Sequence, residues 1–287
     1  MFGIAKRTFD RFQSHHMTDH AAALTYYSLM SLFPALLVGV ALLSLLAGSD
    51  FPARVASYLA DHGAPAEVVD PVRSAVEGAV KTKTGAATGV LIVGIAVALW
   101  SASGAFGAAG RALNAVLEIE EQRGFVRRKL VDIAATIALI VLGLVALVLV
   151  FLGGELAGDV LDKIGLGGGA KTVWNILRWP AALMVAMVVY ALVYYAAPDT
   201  EQRRWRWISP GSALGVGLWI LASAGFFVYV SHFTSYTTGY GAFAGAVILL
   251  VWLWLTNLAL LFGAELNAEL ERSGVPGDDP LVPDDDG

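Results

Sequence analysis

The chain has 287 residues, 57% of them drawn from the set AVILMFWYC and only 15% charged, where soluble domains carry about 25% charged residues. That balance places it among membrane proteins before any motif is read. The lack of cysteine excludes disulfides, thiolate nucleophiles and Cys-based zinc or iron–sulfur sites, and a net charge of −5 argues against a nucleic-acid partner, whose phosphates need a basic surface.

In chain order, "MFGIAKRTFDRFQSHHMTDH" spreads its charges among apolar residues. It lacks the apolar core and small-residue cleavage site of a secretory leader, so the first span is expected to act as an uncleaved signal. His15, His16 and His20 with Asp19 form the chain's one histidine cluster, read as an interfacial segment rather than a metal site. Five stretches then run for about 20 residues or more without Asp, Glu, Lys or Arg: Ala21–Ser49, Thr84–Gly110, Ile133–Gly154, Trp179–Pro198 and Trp207–Ala264. The last is too long for one crossing and contains the polar break "SHFTSYTTGYG" (Ser231–Gly241), which splits it in two. One central charge costs about 2.5–3.5 kcal/mol, and a Leu or Phe returns only about 0.3–0.6, so charge-free runs of this length are strong membrane signals.

The predicted fold is all-α: a polytopic membrane helix bundle of six transmembrane helices with short amphipathic connecting helices, occupying residues 1–272. The spans fall at about 22–47, 86–109, 132–153, 179–197, 208–231 and 241–264. Residues 273–287 form an acidic tail without the apolar content to bury anything, expected to be disordered. With both termini cytoplasmic, about 12 Lys and Arg fall inside and about 7 outside, a bias that favours this orientation.

Local signals agree. "SPG" at Ser209–Gly211 puts a capping serine before a proline at a first helical position, and Pro198 ends the fourth span. Trp174, Trp179, Trp205, Trp207, Tyr194 and Tyr195 stand near predicted interfaces as an aromatic belt. Val69, Val72, Val76 and Val80 recur at helical spacing and predict an outer amphipathic helix; Leu156, Val160 and Ile164 hint at another. The short inner connection "EIEEQRGFVRRK" suits anionic head groups.

Candidate functional residues fall into two sets. Pro34 cannot donate to the carbonyl of Met30, so the first span is expected to bend, with Tyr27, Ser31 and Pro34 on one inward face. Tyr26, Tyr27, Ser31, Pro34, Tyr236 and Tyr240 are the substrate-lining candidates; the other reading is a helix contact joined by hydroxyls. Arg111, Asn114, Glu265 and Asn267 are inner gate or clamp candidates, with a buried Arg111–Glu265 pair or with side chains snorkelling to the interface. Gly104, Gly107 and Gly110, Gly211 with Gly215, and Gly241 with Gly245 are read as close-packing sites, or as places where helices slide.

Enzyme signals are weak. "GLGGGAKT" (Gly165–Thr172) resembles a phosphate loop, but Ala170 stands where the last glycine belongs and no buried strand precedes it, so it is read as a flexible turn. There is no H-E-x-x-H and no G-x-S-x-G. Neither enzymatic activity nor a cofactor is expected.

Three segments carry a family likeness. "AAALTYYSLMSLFPALL", "LWSASGAFGAAGRALNAV" and "GYGAFAGAVILLVWLWLTNLALLFGAELNAEL" resemble, in that order, the YihY/virulence factor BrkB family, over roughly Phe12 to Glu271. The resemblance implies a six-span bacterial inner-membrane protein, of a family linked to serum resistance, to envelope lipid transport and, by older labels, to ribonuclease activity. A metal-dependent nuclease needs clustered His and carboxylate ligands on a water-facing scaffold, a pattern this sequence does not offer. The expected function is transport or flipping of an amphipathic, lipid-like molecule. The alternative is a non-transporting envelope scaffold acting through partner contacts. Expected partners are membrane lipids, a lipid-like substrate and further copies of the chain. Ion coupling lacks an evident mid-span acid or base.

Overall fold

The structure is a computed structural model that describes residues 2–47, 57, 85–151, 168–200, 209–232 and 234–273. Among them the regular elements are all helices: α1 (Phe2–Ser14), α2 (Met17–Ala47), α3 (Gly85–Leu117), α4 (Phe125–Phe151), α5 (Gly168–Ala196), α6 (Pro210–His232) and α7 (Thr234–Arg272). Five segments are long and apolar enough to cross a membrane: Val93–Leu117, Phe125–Val150, Thr172–Ala196, Pro210–His232 and Ala244–Arg272. The shortest, at 23 residues, rises about 34 Å, against a hydrocarbon core of about 30 Å. The expected first span lies in α2, a continuous 31-residue helix with Pro34 inside it.

Several boundaries differ from the sequence reading. Helix α3 runs on to Leu117, beyond the charge-free stretch, because Arg111 and Asn114 find partners within the bundle. Helix α5 starts at Gly168 rather than near Trp179, and Pro180 stands inside it. The end of "GLGGGAKT" is therefore its first turn and not a loop. Most of "SHFTSYTTGYG" is likewise helical, since α6 ends at His232 and α7 begins at Thr234. Tyr194 is buried and donates its hydroxyl to the Leu260 carbonyl at 2.6 Å, so it belongs to the core and not to an aromatic belt. The two amphipathic connecting helices, Trp205, Trp207 and the tail beyond Ser273 lie outside the described residues.

Helix α3 is the centre of the bundle. In the membrane-length part of α3, 44% is enclosed, against 11% to 17% in the other four. Around it Leu24, Phe106, Leu113, Tyr190, Val216 and Leu261 form one apolar cluster. The outward faces carry Val97, Leu221 and Phe227, as acyl chains require.

Helices α6 and α7 run antiparallel at backbone contact. A Cβ on Gly211 would lie 2.0 Å from the Gly263 carbonyl oxygen, and one on Gly215 would lie 2.7 Å from the Tyr190 ring and 3.1 Å from the Ala259 carbonyl. Packing of this kind replaces the hydrophobic effect, which does not act between helices in lipid. Gly211 and Gly215 thus serve packing; a Cβ on Gly245 would touch nothing within 4 Å among the described residues.

One end of the bundle gathers the charges. There the Asp199 N–H donates to Asn114 Oδ1 at 2.9 Å, Arg272 donates to the Val116 carbonyl at 2.9 Å, and α1 lies against the end of α7. The two ends of the described chain, Phe2 and Ser273, therefore lie with the α3–α4 turn and with Asp199, just after α5, on the same side.

Candidate functional site

Helix α1 is built to grip α7. Arg7, Arg11 and His15 recur every four residues and so share one face, while Phe12 packs on Phe262 with ring centroids 5.4 Å apart. Helix α7 answers with Glu265 and Glu269, one turn apart. Arg7 pairs with Glu269, whose second oxygen lies 3.4 Å from Arg11 Nε. His15 Nδ1 stands 2.6 Å from Glu265 Oε1. Glu265 is fully buried, and its other oxygen, Oε2, has no hydrogen-bond partner among the described residues.

Glu118, at the end of α3, completes the lattice. Its Oε1 meets Arg11 Nη1 at 2.6 Å, Arg272 Nη2 at 3.1 Å and His15 Nε2 at 3.3 Å. The Arg11 hydrogen bond, with the charge of Arg272, holds the Glu118 carboxyl below the ordinary glutamate range. Glu118 and His16 are the non-glycine residues with positive φ among the described ones, at 57° and 52°. A non-glycine residue in this region costs on the order of 1 kcal/mol. At Glu118 the left-handed turn ends α3 and presents the carboxylate to Arg11, Arg272 and His15; at His16 it turns α1 into α2 and leaves His15 facing α7. Arg7, Asp10, Arg11, Glu269, Arg272 and Ser273 line an open cleft of about 410 Å³ above the lattice.

Beside it the α3–α4 turn is tied down. Arg123 bonds Glu121 at 2.6 Å and the Ala197 carbonyl at 2.9 Å, while Asp199 accepts the backbone N–H groups of Gln122 and Arg123. The Arg123 hydrogen bond lowers the Glu121 carboxyl in turn. The stretch read as a basic head-group binder thus turns Glu118, Glu121 and Arg123 toward the protein. At the start of α6, Ser209 caps the helix by accepting the Ser212 N–H at 3.0 Å, and Asn267 accepts the Gly211 N–H at 2.8 Å while donating to Ser209 Oγ at 2.9 Å.

A second polar surface lies where α2 and α4 meet one face of α3, along Trp100, Ser103, Gly104, Gly107 and Arg111. Lys129 Nζ sits 4.3 Å over the Trp100 ring and donates to Ser103 Oγ at 2.6 Å. Arg128 donates to the Gly107 carbonyl at 3.3 Å, and a Cβ on Gly107 would lie 2.9 Å from buried Asp132. Exposed Arg111 stands over the Tyr27 ring at 5.1 Å. Tyr26 packs edge-on to Tyr27, the two being 58% and 37% exposed.

The structure rearranges the predicted sets. Arg111 does not pair with Glu265: His15 takes that carboxylate, because the turn at His16 lays α1 along α7, and Arg111 joins Tyr27 and Tyr26 instead. Ser31 is buried and donates to the Ser101 carbonyl at 3.3 Å, with Gly104 opposite, which is the hydroxyl-joined helix contact. Pro34 is half-buried on the same helix. Asn114 and Asn267 tie elements together at the charged end. The side chains of Tyr236 and Tyr240 lie outside the described residues. Sequence reasoning missed His15, Glu118, Lys129 and Asp132 as site residues. The four-residue spacing of Arg7, Arg11 and His15, matched by Glu265 and Glu269, was the signal that could have found His15. It also missed the buried Asn257–Thr25 hydrogen bond of 3.1 Å between α7 and α2.

The model of the family described as virulence factor BrkB matches residues 8–284. The chain belongs to the virulence factor BrkB family. Among its relatives, the ribonuclease-like protein YfkH of Bacillus subtilis is 33% identical over 278 residues, covering 96% of this chain and 98% of that protein. A UPF0761 membrane protein of Pseudoalteromonas translucida is 29% identical over 262 residues, covering 88% and 80%. A UPF0761 membrane protein of Laribacter hongkongensis is 27% identical over 253 residues, covering 87% of this chain and 57% of that protein. No solved structure matches the chain. A BrkB-family membrane protein with a polar, arginine-bearing lateral face is therefore the frame for function.

Proposed function

We propose that this BrkB-family protein works in the bacterial inner membrane, with both termini cytoplasmic, and moves an amphipathic, lipid-like molecule rather than catalysing a reaction. The observation that carries the reading is Arg111. It is exposed, it lies within the membrane-length part of α3, and it stands over the Tyr27 ring. An ionised side chain at such a position needs an anionic or polar partner, and a lipid with its tails in the bilayer and its head at Arg111 supplies one. Tyr26, Tyr27 and Trp100 offer amphipathic rings around the same place. The charged end of the bundle gathers the Lys and Arg that the positive-inside rule assigns to the cytoplasm, which supports the orientation.

The test is translocation of a fluorescent phospholipid in vesicles reconstituted with the full chain. Arg111→Ala is expected to lower the initial rate about tenfold, as loss of a charged hydrogen bond implies, with insertion intact. A rate equal to that of the wild type would remove Arg111 from the path, and a wild-type rate no higher than protein-free vesicles would end the transport reading. The scaffold reading has one observation of its own. Gly217 and Gly225 on α6 are open to their surroundings beside exposed Leu221 and Phe227, a surface suited to another membrane helix. Cross-linking from this surface to a second chain, with lipid movement absent, would favour it.

A further inference from the structure

Among the described residues, Glu265 is a fully buried carboxylate whose Oε2 has no hydrogen-bond partner, and the side chain of His15 joins it to the protein surface. His15 reaches Glu265 Oε1 with Nδ1 at 2.6 Å, and its Nε2 lies 3.3 Å from Glu118 Oε1, whose side chain is 56% exposed. An imidazole whose two nitrogens face two carboxylates is the arrangement that passes protons, since one ring nitrogen can accept while the other donates. Ionisable groups inside a membrane bundle are expensive to keep and mark proton or substrate paths by default. A clamp alone would satisfy both oxygens of Glu265; here Oε2 is left over.

We propose that Glu118, His15 and Glu265 form a proton relay that loads the buried Glu265 from the charged end of the bundle. With His15 neutral and its proton on Nδ1, a proton arriving by way of Glu118 is taken at Nε2. The Nδ1 proton then passes to Glu265 Oε1. The ring is left neutral with its proton on Nε2, one proton having entered and one carboxylate having been neutralised, with no electron transferred. Release in the opposite direction resets the relay. The other charged or titratable groups around the pair are Arg7 and Arg11 from α1, His20 from α2, and Glu269 and Arg272 from α7. Arg11 and Arg272 both rest on Glu118, so they keep the entry carboxylate ionised and fixed. Neutralising Glu265 removes the negative charge that His15 faces, and so ties protonation to the hold of α1 on α7. What that movement drives rests on the lipid-moving reading above; the loading of Glu265 does not.

Infrared difference spectroscopy of the reconstituted full chain after a pH drop tests the loading directly. The wild type is expected to show a buried carboxylic-acid band that is absent in Glu265→Gln. In His15→Gln the band is expected to form about a hundredfold more slowly, the scale of a lost proton-transfer group. Glu118→Gln, which keeps the size of the side chain and a carbonyl oxygen as acceptor, is expected to slow it as well. A band that survives in Glu265→Gln, or forms at the wild-type rate in both His15→Gln and Glu118→Gln, overturns the relay. Lipid movement driven by an imposed pH gradient forms the second arm. A response that is the same in the wild type and Glu265→Gln overturns the coupling. If the wild type moves no lipid at all, the transport reading falls and the spectroscopic arm still decides the relay.

Discussion

Helices α1 and α6 both lie along α7, and they are held by different chemistry. The α6–α7 seam is backbone against backbone: Gly211 meets Gly263, Gly215 meets Ala259, and Asn267 satisfies the N–H of Gly211 at the start of α6. The α1–α7 contact is a ladder of charges, Arg7 and Arg11 on Glu269 and His15 on Glu265, with Glu118 beneath. The first belongs to a segment that must be stable in lipid, where water competes for nothing and close packing supplies the attraction. The second reaches from buried Glu265 to exposed Glu118, where pH and salt can act. The comparison teaches that one helix serves as both fixed frame and adjustable clasp, according to which of its neighbours is considered.

Three changes sharpen the contrast. The largest effect is expected from Gly211→Leu, which places a side chain where the Gly263 carbonyl already lies. It should destabilise the bundle by about 3 kcal/mol or more, read as loss of the folded fraction in a denaturant titration in detergent. Next, Asn267→Leu leaves the buried Gly211 N–H unsatisfied and should cost about 1–3 kcal/mol by the same measurement, with α1 still docked. The smallest is acidification. The Glu118 carboxyl is held below its ordinary range in the folded state, so its contribution to α1 docking is complete above the pKa of a free glutamate. That contribution is lost as pH falls through the lowered value. Hydrogen exchange of α1 amides should therefore rise below about pH 4, and also with added salt, while α6 amides stay protected. Equal loss of protection in α1 and α6 would show that the two seams are not distinct.

The spans were legible because lipid imposes a rule that leaves a mark in the residues themselves: about 20 positions without charge. Ser209 as a cap and Pro198 beyond the end of α5 were legible for the same local reason. The helix continuing through Arg111 and Asn114 was not, since a charged residue ends a span only when nothing in the bundle receives it. Arg111 and Glu265 were both singled out, but their partners were exchanged. Two groups with opposite charge at similar depth look like a pair until the turn at His16 sets α1 against α7.

By itself the sequence determined that this chain lives in a membrane as a bundle of apolar helices, because the free energy of placing each residue in hydrocarbon is a property of that residue and its near neighbours. The tertiary structure alone decided that His15 reaches Glu265, that Arg111 faces Tyr27 and that Gly211 touches Gly263. Those contacts join residues far apart in the chain, and they depend on how rigid helices settle against one another.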